Sequence, residues 1–310
     1  MGKTKSEIRK SYLLDKYVII TPSRTARPRD IKEETIIKRV KSCPFCPDNI
    51  NQANITDRLP AADSRKNWQV LTIKNTFPAV ELSNKKAYGA QEVIIETPVH
   101  TKELANLTEA QIGEVLKMYI RRTEAIAKNK KVKYILCFKN QGSKAGASIV
   151  HAHSQVFATA IIPPELAEEE RAVKNYRAKT GHCPYCDIIR KEMKGRRKIF
   201  ADQFVVAFTP YASEYHYESW IFPKRHLDNI TLLKAEEIKS LAKILKRILL
   251  KMQTLNLSFN YFLHNVVSDK NQHLYLKIQP RGSVWAGVEL GSGIVINSVS
   301  PETAAKYLKS

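Results

Sequence analysis

Two histidines one residue apart, His151 and His153, follow a loop of small residues in the stretch NQGSKAGASIVHAHSQ. Such a pair can be two metal ligands, a ligand beside a catalytic base, or two ordinary polar residues on a strand. The chain also has two CxxC pairs and one further cysteine: Cys43, Cys46, Cys183, Cys186 and Cys137. In a reducing compartment this pattern favours metal binding over disulfide formation.

Comparison of the two CxxC pairs indicates that the chain is an internal duplication. Each pair is followed by a strand-like stretch, a turn and a second strand that ends on a histidine, EVIIETPVH at His100 and ESWIFPKRH at His226. A long amphipathic helix follows each histidine, and in the first copy Thr108 and Gln111 are expected to form its capping box. Each helix then leads to another pair of strands.

This order of elements predicts an α+β fold. Each half should be an antiparallel sheet with a helix packed on one face. The charged segment PPELAEEERAVKNYRAKTG, which begins with two prolines, is interpreted as a helical linker between the halves. We expect two domains, residues 1–170 with the catalytic histidine and residues 171–310 as a degenerate repeat with a second metal site.

The duplication selects two sets of metal ligands. Zinc prefers four thiolate or imidazole ligands in a tetrahedron, and a CxxC turn supplies two of them. Matching histidines complete each set. The expected ligands are Cys43, Cys46, His100 and His151 in the first half, and Cys183, Cys186, His226 and His273 in the second. The competing interpretations are a solvated loop residue for His100 and a surface histidine or phosphate contact for His226.

His153 is the candidate for covalent chemistry. It shares a strand face with His151, so it should lie near the metal without binding it. A neutral imidazole is a competent nucleophile toward phosphorus, and its phosphoramidate divides one displacement into two. Gln155, on the same face, could donate a hydrogen bond to a phosphoryl oxygen. The corresponding residues of the second half are Tyr275 and Lys277, so one active centre per chain is expected.

Taken together, the motifs resemble the galactose-1-phosphate uridylyltransferase family of the histidine triad superfamily, whose members consist of two such half-domains. The resemblance extends over nearly the whole chain, through YVIITPSRTARP, CPFC, NTFP, EVIIETPVH, NQGSKAGASIVHAHSQ, WIFPKRH and AGVELGSGIVIN. Ala152 stands where the family pattern has a proline between the histidines. In this change, and in the twin Cys2His2 arrangement, the sequence resembles relatives of the plant ADP-glucose phosphorylase type.

The resemblance implies roles for particular residues. It implies that His153 is the nucleotidylated nucleophile and Gln155 its phosphate partner. Arginines in a turn suit forked phosphate contacts, although a solvated basic turn is the alternative, and a loop of small residues lets backbone N–H groups approach an anion. The implied substrate contacts are Arg24, Arg27, Asn75, Asn140, Gly146, Ser148 and Glu289. A homodimer is implied as well.

The leading functional hypothesis is ping-pong transfer of UMP between UDP-glucose and galactose 1-phosphate. The nearest alternative is an ADP-sugar phosphorylase, in which inorganic phosphate accepts AMP from ADP-glucose. No residue identifies the base from sequence alone. Zinc is expected at both metal sites, although the second could hold another metal.

The composition limits the other functional classes. The formal net charge of +21 raises the possibility of a nucleic-acid-binding or nucleic-acid-processing histidine triad protein, but the lysines are spread along the chain without interleaved aromatic residues. We therefore expect no nucleic-acid partner. No apolar run approaches the roughly 18 residues of a membrane span, and the N-terminus has no apolar signal segment, so a cytoplasmic protein without a membrane partner is expected.

Overall fold

The computed structural model describes residues 5–26, 43–60, 68–265 and 269–310. Within these ranges the α-helices are α1 (Glu109–Ala127), α2 (Pro164–Thr180), α3 (Pro184–Lys194), α4 (Ala235–Thr254), α5 (Gly287–Ser292) and α6 (Pro301–Lys309). The strands are β1 (Glu7–Lys10), β2 (Tyr17–Ile20), β3 (Ile55–Leu59), β4 (Val70–Lys74), β5 (Gly89–Ile95), β6 (Tyr134–Gln141), β7 (His153–Thr159), β8 (Lys198–Ala201), β9 (Val205–Phe208), β10 (Ser219–Pro223), β11 (Phe259–His264), β12 (Tyr275–Pro280) and β13 (Val295–Asn297).

Ten of the thirteen described strands form one large antiparallel sheet that both halves share. Its order is β3-β4-β5-β7-β6-β11-β12-β10-β9-β8, so each half contributes five strands in the same order when read outward from the central β6–β11 pair. At that junction Phe138 pairs with Phe262. The predicted α+β fold of tandem halves is confirmed. The expected boundary at residues 170/171 lies inside α2.

The apolar stripes of α1 and α4 face one side of the sheet and form the main core. The capping box of α1 is present, since Thr108 Oγ1 accepts from Gln111 N at 3.2 Å and Gln111 Oε1 accepts from Thr108 N at 3.0 Å. Full burial of an aliphatic side chain contributes about 1.5–3 kcal/mol, so this stripe stabilises the helix far more than propensity does. The buried side chains of the α1 stripe include Ile112, Val115, Leu116 and Tyr119.

The opposite side of the sheet carries the residues singled out for chemistry. On β7, Val156 and Ala158 belong to the main core, whereas the ring of His153 packs 5.1 Å from Phe45, beside the first CxxC pair. The alternation of a strand separates these two sets of side chains. A second cluster, which includes Phe222 and Tyr275, lies beside the second CxxC pair.

The register of the strands corrects one detail of the sequence repeat. Val93 of β5 pairs with Gln155, and Trp220 of β10 pairs with Lys277, so Val93 and Trp220 are counterparts. His100 therefore follows its strand position by seven residues and His226 by six. The stretches EVIIETPVH and ESWIFPKRH have the same length, but they do not align residue by residue in the structure. The second half reaches its histidine through a connection one residue shorter.

A small sheet joins the two ends of the chain. β2 pairs antiparallel with β1 and parallel with β13, and Arg9 Nη1 donates to Glu302 of α6 at 3.0 Å. Among the described residues, no helix is both long and apolar enough to cross a membrane.

Candidate active site and metal centres

Three separate segments of the first half assemble the first predicted metal centre. Cys43 Sγ lies 3.6 Å from His151 Nδ1, and Cys46 Sγ lies 3.8 Å from that atom and 3.5 Å from His100 Nδ1. A tetrahedral zinc ion, with bonds of about 2.3 Å to sulfur and about 2.1 Å to nitrogen, separates these atoms by about 3.6 Å. The four predicted ligands therefore fit such an ion.

A hydrogen bond at the ring nitrogen away from the cysteines fixes the orientation of His151. Its Nε2 donates to the backbone oxygen of Thr97 at 2.7 Å, so Nδ1 faces the cysteines as a ligand nitrogen. Phe45, between the two cysteines, donates its backbone N–H to Cys43 Sγ at 3.4 Å. This compact knuckle holds the chain immediately before β7, and hence the position of His153.

The second metal centre brings together three of its four predicted ligands. The ligand atoms of Cys183, Cys186 and His226 all lie within 4.8 Å of one another, with Cys186 Sγ 3.5 Å from His226 Nδ1. His226 Nε2 donates to the backbone oxygen of Lys270 at 2.9 Å. In the first half, His151 Nε2 makes the same kind of bond to the backbone oxygen of Thr97. These three side chains could hold a metal ion.

His273 lies beside this cluster but outside the set of mutually close ligand atoms. Its ring centroid is 5.2 Å from that of His226, close to the 5.3 Å between His100 and His151. His273 Nδ1 donates to Leu274 O at 2.9 Å, and its buried Nε2 has no hydrogen-bond partner in the described part of the chain. A buried nitrogen without a partner is costly, and a metal ion would supply the partner.

His153 has one ring nitrogen anchored and one available. Its Nδ1 donates to the backbone oxygen of His151 at 2.8 Å, so the neutral ring carries its lone pair on Nε2. Nε2 makes no hydrogen bond to another described residue. Burial, and after it the nearby charge of Lys139, lower the pKa of His153 to about 4. The ring is therefore neutral, with the geometry of a nucleophile.

A buried ion pair lies directly behind this histidine. Lys139 Nζ donates to Glu96 Oε2 at 2.8 Å and to the backbone oxygen of His153 at 2.9 Å. Lys139 and Glu96 are each 1% exposed, so the pair is shielded from water. The lysine consequently ties the start of β7 to the end of β5.

A cleft of about 870 Å³ opens over His153. The loop at residues 142–149 forms one wall, and Gly142 and Gly146 in it have positive φ values of 81° and 82°. A side chain at Gly142 would also collide with Ser258. Glycine therefore allows the backbone of this loop to close on the cleft. A cleft of this size can hold a nucleotide sugar.

The second half contributes to this cleft within the same chain. Asn260 Nδ2 donates to Asn140 Oδ1 and to the backbone oxygen of Ala145, both at 2.8 Å. Arg281 donates from Nε to Asn260 Oδ1 at 2.5 Å and from Nη1 to Tyr215 Oη at 3.1 Å, and it lines the cleft. This network joins Asn140 and the glycine loop to β11 and β12.

The remaining predicted site residues fall into two groups. Asn140 and Ser148 line the cleft together with His153, and Gly146 lies in its loop. Gln155 is two residues along β7 from His153, and its Oε1 accepts from Gln91 Nε2 at 2.9 Å. The amide nitrogen of Gln155 is the atom that could donate a hydrogen bond to a substrate.

The second group lies away from the cleft. Asn75 accepts from Phe77 N at 2.8 Å and so caps its own turn. Burial alone would raise the pKa of Glu289, but backbone donors and the nearby Arg24 lower it overall, which places these two predicted residues near each other. Neither lines the cleft. Arg27 lies outside the described residues.

Comparison with known proteins identifies the family of this chain. Residues 2–163 match the family model of the N-terminal domain of galactose-1-phosphate uridyl transferase. The chain belongs to the galactose-1-phosphate uridyl transferase family.

Relatives of known name cover almost all of this family member. An ADP-glucose phosphorylase from Arabidopsis thaliana is 31% identical, over 98% of this chain and 92% of its own length. A galactose-1-phosphate uridylyltransferase from Thermotoga maritima is 27% identical over 98% of both chains.

The similar solved structures also include an ADP-glucose phosphorylase and a uridylyltransferase. The crystal structure of an Arabidopsis thaliana ADP-glucose phosphorylase with bound ADP-glucose is similar with a TM-score of 0.87, 31% identity and 99% coverage of each chain. A uridylyltransferase structure gives a TM-score of 0.75 at 26% identity, covering 98% of this chain and 97% of the other. The chain is an enzyme of the transferase type.

Sequence reasoning missed Lys139, Glu96, Asn260 and Arg281. The first two carried a usable signal, because strand alternation places Lys139 on the same face as the buried Cys137. A charged residue at such a position requires a buried partner. Nothing in the sequence identified Asn260 or Arg281, since their role depends on the contact between the two halves.

Proposed function

We propose that this protein is a nucleotidylyltransferase that acts on nucleotide sugars through a covalent nucleotidyl-histidine at His153. The observation that carries the proposal is the imidazole itself, held by a hydrogen bond at Nδ1 and with an Nε2 that has no partner among the described residues, at the wall of the cleft. A side chain in the core would not leave that nitrogen unpaired, because burial without a partner is costly.

The chemistry proceeds in two displacements. The Nε2 lone pair attacks the α-phosphorus, the bond to the bridging oxygen breaks, and its electron pair leaves with the hexose 1-phosphate. The proton on Nδ1 stays shared with the backbone oxygen of His151, which stabilises the positive charge on the ring. A phosphate oxygen of the acceptor then attacks the same phosphorus, and the P–N bond returns its electrons to His153.

Residues near His153 supply charge stabilisation in this scheme. The amide nitrogens of Gln155 and Asn140, together with Ser148 and backbone N–H groups around Gly146, are proposed to hold the phosphoryl oxygens. Arg24, Arg27, Asn75 and Glu289 remain proposed substrate contacts. Arg24 and Glu289 would have to reach substrate from outside the cleft that contains His153.

For the substrates we propose ADP-glucose and inorganic phosphate. The sequence analysis placed UMP transfer between UDP-glucose and galactose 1-phosphate first, and that pair remains the second candidate because several relatives carry the uridylyltransferase name. The ADP-glucose phosphorylase is more similar in both sequence identity and TM-score. That similarity favours the adenylyl pair.

We propose zinc at both metal centres. The thiolate and imidazole ligands and the sulfur–nitrogen distances of the first centre match this ion. With four protein ligands, the ion would be structural and would hold the knuckle against β7. The second centre, with His273 beside its three close ligands, could hold zinc or another metal.

A cytoplasmic homodimer is the proposed state of the protein. The five cysteines, all free in the structure, suit a reducing compartment. Phe77, Val284 and Leu290 are 90%, 76% and 74% exposed, and covering such apolar side chains favours association. Light scattering coupled to size-exclusion chromatography tests the dimer, and a monomer at micromolar concentration would contradict it.

Intact-protein mass spectrometry tests the function. The purified protein is mixed separately with ADP-glucose and with UDP-glucose, without acceptor. An AMP-sized adduct is expected from ADP-glucose, and a UMP-sized adduct would shift the assignment to the uridylyl pair. An adduct that persists in H153A, or no adduct from either sugar with the metal present, would contradict the proposal.

A further inference from the structure

The symmetry of the large sheet defines a counterpart of the active centre in the second half. Phe138 pairs with Gln155 as Phe262 pairs with Lys277, and the two phenylalanines face each other at the junction. His153 and Tyr275 lie two residues before Gln155 and Lys277, so they are counterparts. Asn140 and His264 lie two residues after the two phenylalanines, so they are counterparts as well. The position that would receive a phosphoryl group in the first half therefore has a defined equivalent.

A carboxylate from the linker helix α2 occupies this equivalent position. Glu169 Oε1 accepts hydrogen bonds from Tyr275 Oη at 2.7 Å and from Tyr185 Oη, and Oε2 lies 3.5 Å from His264 Nδ1. Glu169 is 7% exposed. Burial by itself would raise the pKa of Glu169, but His264, Lys277 and the two hydroxyls hold it at about 2, so the group is ionised.

The groups around Glu169 form a converging set. Tyr185 comes from α3, His264 from β11, and Tyr275 from β12, while the carboxylate comes from α2. Lys277 Nζ lies 4.7 Å from the ring centroid of Trp220, and Lys277 has no ion-pair partner among the described residues. The Glu169 carboxylate thus accepts hydrogen bonds from two hydroxyls and lies beside the His264 imidazole, in the field of the Lys277 ammonium group.

Space exists beside this set for small molecules. A cavity of about 410 Å³ borders Glu169 and Lys277 and is lined further by Trp220 and Phe262. A small carboxylate could reach the position of Glu169 through it if the side chain were shortened. The donors would otherwise remain buried and unpaired, which is costly.

We propose that the second half contains a binding site for an oxyanion, at the counterpart of the phosphoryl position of the first half, and that the chain fills this site with its own Glu169 carboxylate. The comparison of the two positions rests on the proposed function of His153. The chemical class of the ligand, a carboxylate or phosphate oxyanion, rests only on the donors. The internal carboxylate keeps the site closed to external oxyanions.

Chemical rescue tests the site in the full-length protein. E169A removes the carboxylate, and E168A, an exposed glutamate on the same helix, is the matched control. Thermal unfolding is followed in potassium formate and acetate against potassium chloride at equal ionic strength. We expect formate or acetate to raise the Tm of E169A by about 3 °C or more, saturably, without a comparable rise in E168A or the unaltered protein.

Failure of both carboxylates to raise the Tm of E169A above its value in chloride would overturn the proposal. An isosteric pair covers the case in which E169A does not fold. E169Q keeps the size of the side chain and removes its charge, so its Tm should fall by several degrees while that of E168Q stays within about 1 °C. An E169Q protein as stable as the unaltered one would also overturn the proposal.

The result can be separated from the proposed function. Adduct formation at His153 is measured on the same preparations. If no protein forms an adduct but formate or acetate rescues E169A, the nucleotidyl chemistry fails and the oxyanion site stands. If adducts form and rescue fails, the oxyanion site fails alone.

Discussion

The two halves of the chain share strand order and a Cys/His cluster that could hold a metal ion, but they differ at the centre of each site. At equivalent positions the first half has His153 and the second Tyr275. In the part of the chain that the structure describes, Nε2 of the imidazole has no hydrogen-bond partner, whereas the tyrosine hydroxyl donates a hydrogen bond to a buried carboxylate. The comparison shows how a repeated fold can keep its framework while a few side chains decide whether the site is open or filled.

The halves also differ in how they support the strand that bears these residues. Lys139, paired with Glu96, holds the backbone of His153, but its counterpart in the second half is the fully buried Leu263. Removing two charges from water is costly, and an apolar residue avoids this cost. The first half therefore gives up some stability at the place where it holds the proposed nucleophile, His153.

The largest contrast should come from replacing the two counterparts directly. H153A should reduce the covalent adduct below detection, because the other histidine that lines the cleft, His151, has its Nε2 bonded to Thr97 and its Nδ1 facing the cysteines. Y275F should leave adduct formation unchanged, since it removes a hydroxyl from the filled site. Mass spectrometry after a single turnover compares them. Loss of the adduct in well-folded Y275F would show that the halves are not chemically separate.

The metal centres can be separated by one substitution in each half. C46S and C186S should each lose one of two metal equivalents per chain, measured by plasma mass spectrometry after dialysis. Only C46S should also slow adduct formation, because its knuckle leads into β7. Equal slowing in C186S would contradict the supporting role assigned to the first centre. H273Q should weaken the second metal site about 10-fold or more if His273 completes it.

Disrupting the ion pair behind His153 should destabilise the protein by about 3–5 kcal/mol. K139M leaves the Glu96 charge buried without its partner, and urea unfolding measures the loss. The double variant K139M/E96L, which approaches the apolar arrangement of the second half, should recover most of that stability but form the adduct more slowly. The exposed K130M serves as the control. A double variant no more stable than K139M would contradict the buried-charge explanation.

Arg281 should have the smallest effect of the four. R281Q removes the donor that holds Asn260, and through it Asn140 and the glycine loop, so affinity for the nucleotide sugar should fall about 10-fold, equivalent to about 1.4 kcal/mol. The adduct should still form at saturating substrate. Titration calorimetry on H153A and H153A/R281Q measures the difference without turnover. R196Q in the same background, an exposed arginine, should leave affinity unchanged.

Much of the fold and of the candidate site followed from local patterns. The capping box at Thr108 and Gln111 and the two CxxC pairs are local, so their consequences could be predicted. The duplication extended this reasoning to distant histidines such as His100 and His151. It failed only in the residue-by-residue alignment of the strands that precede His100 and His226, because a connection one residue shorter is visible only in the strand register.

By itself the sequence determined the elements, the tandem organisation and the residue types that can bind metal or attack phosphorus. These depend on periodicity and spacing, which are properties of neighbouring residues. Only the tertiary structure decided that Arg281 and Asn260 support Asn140, that Lys139 holds the backbone of His153, and that Glu169 accepts a hydrogen bond from Tyr275. Each of these contacts joins residues from different elements, and the free energy that selects them comes from packing and the removal of charges from water.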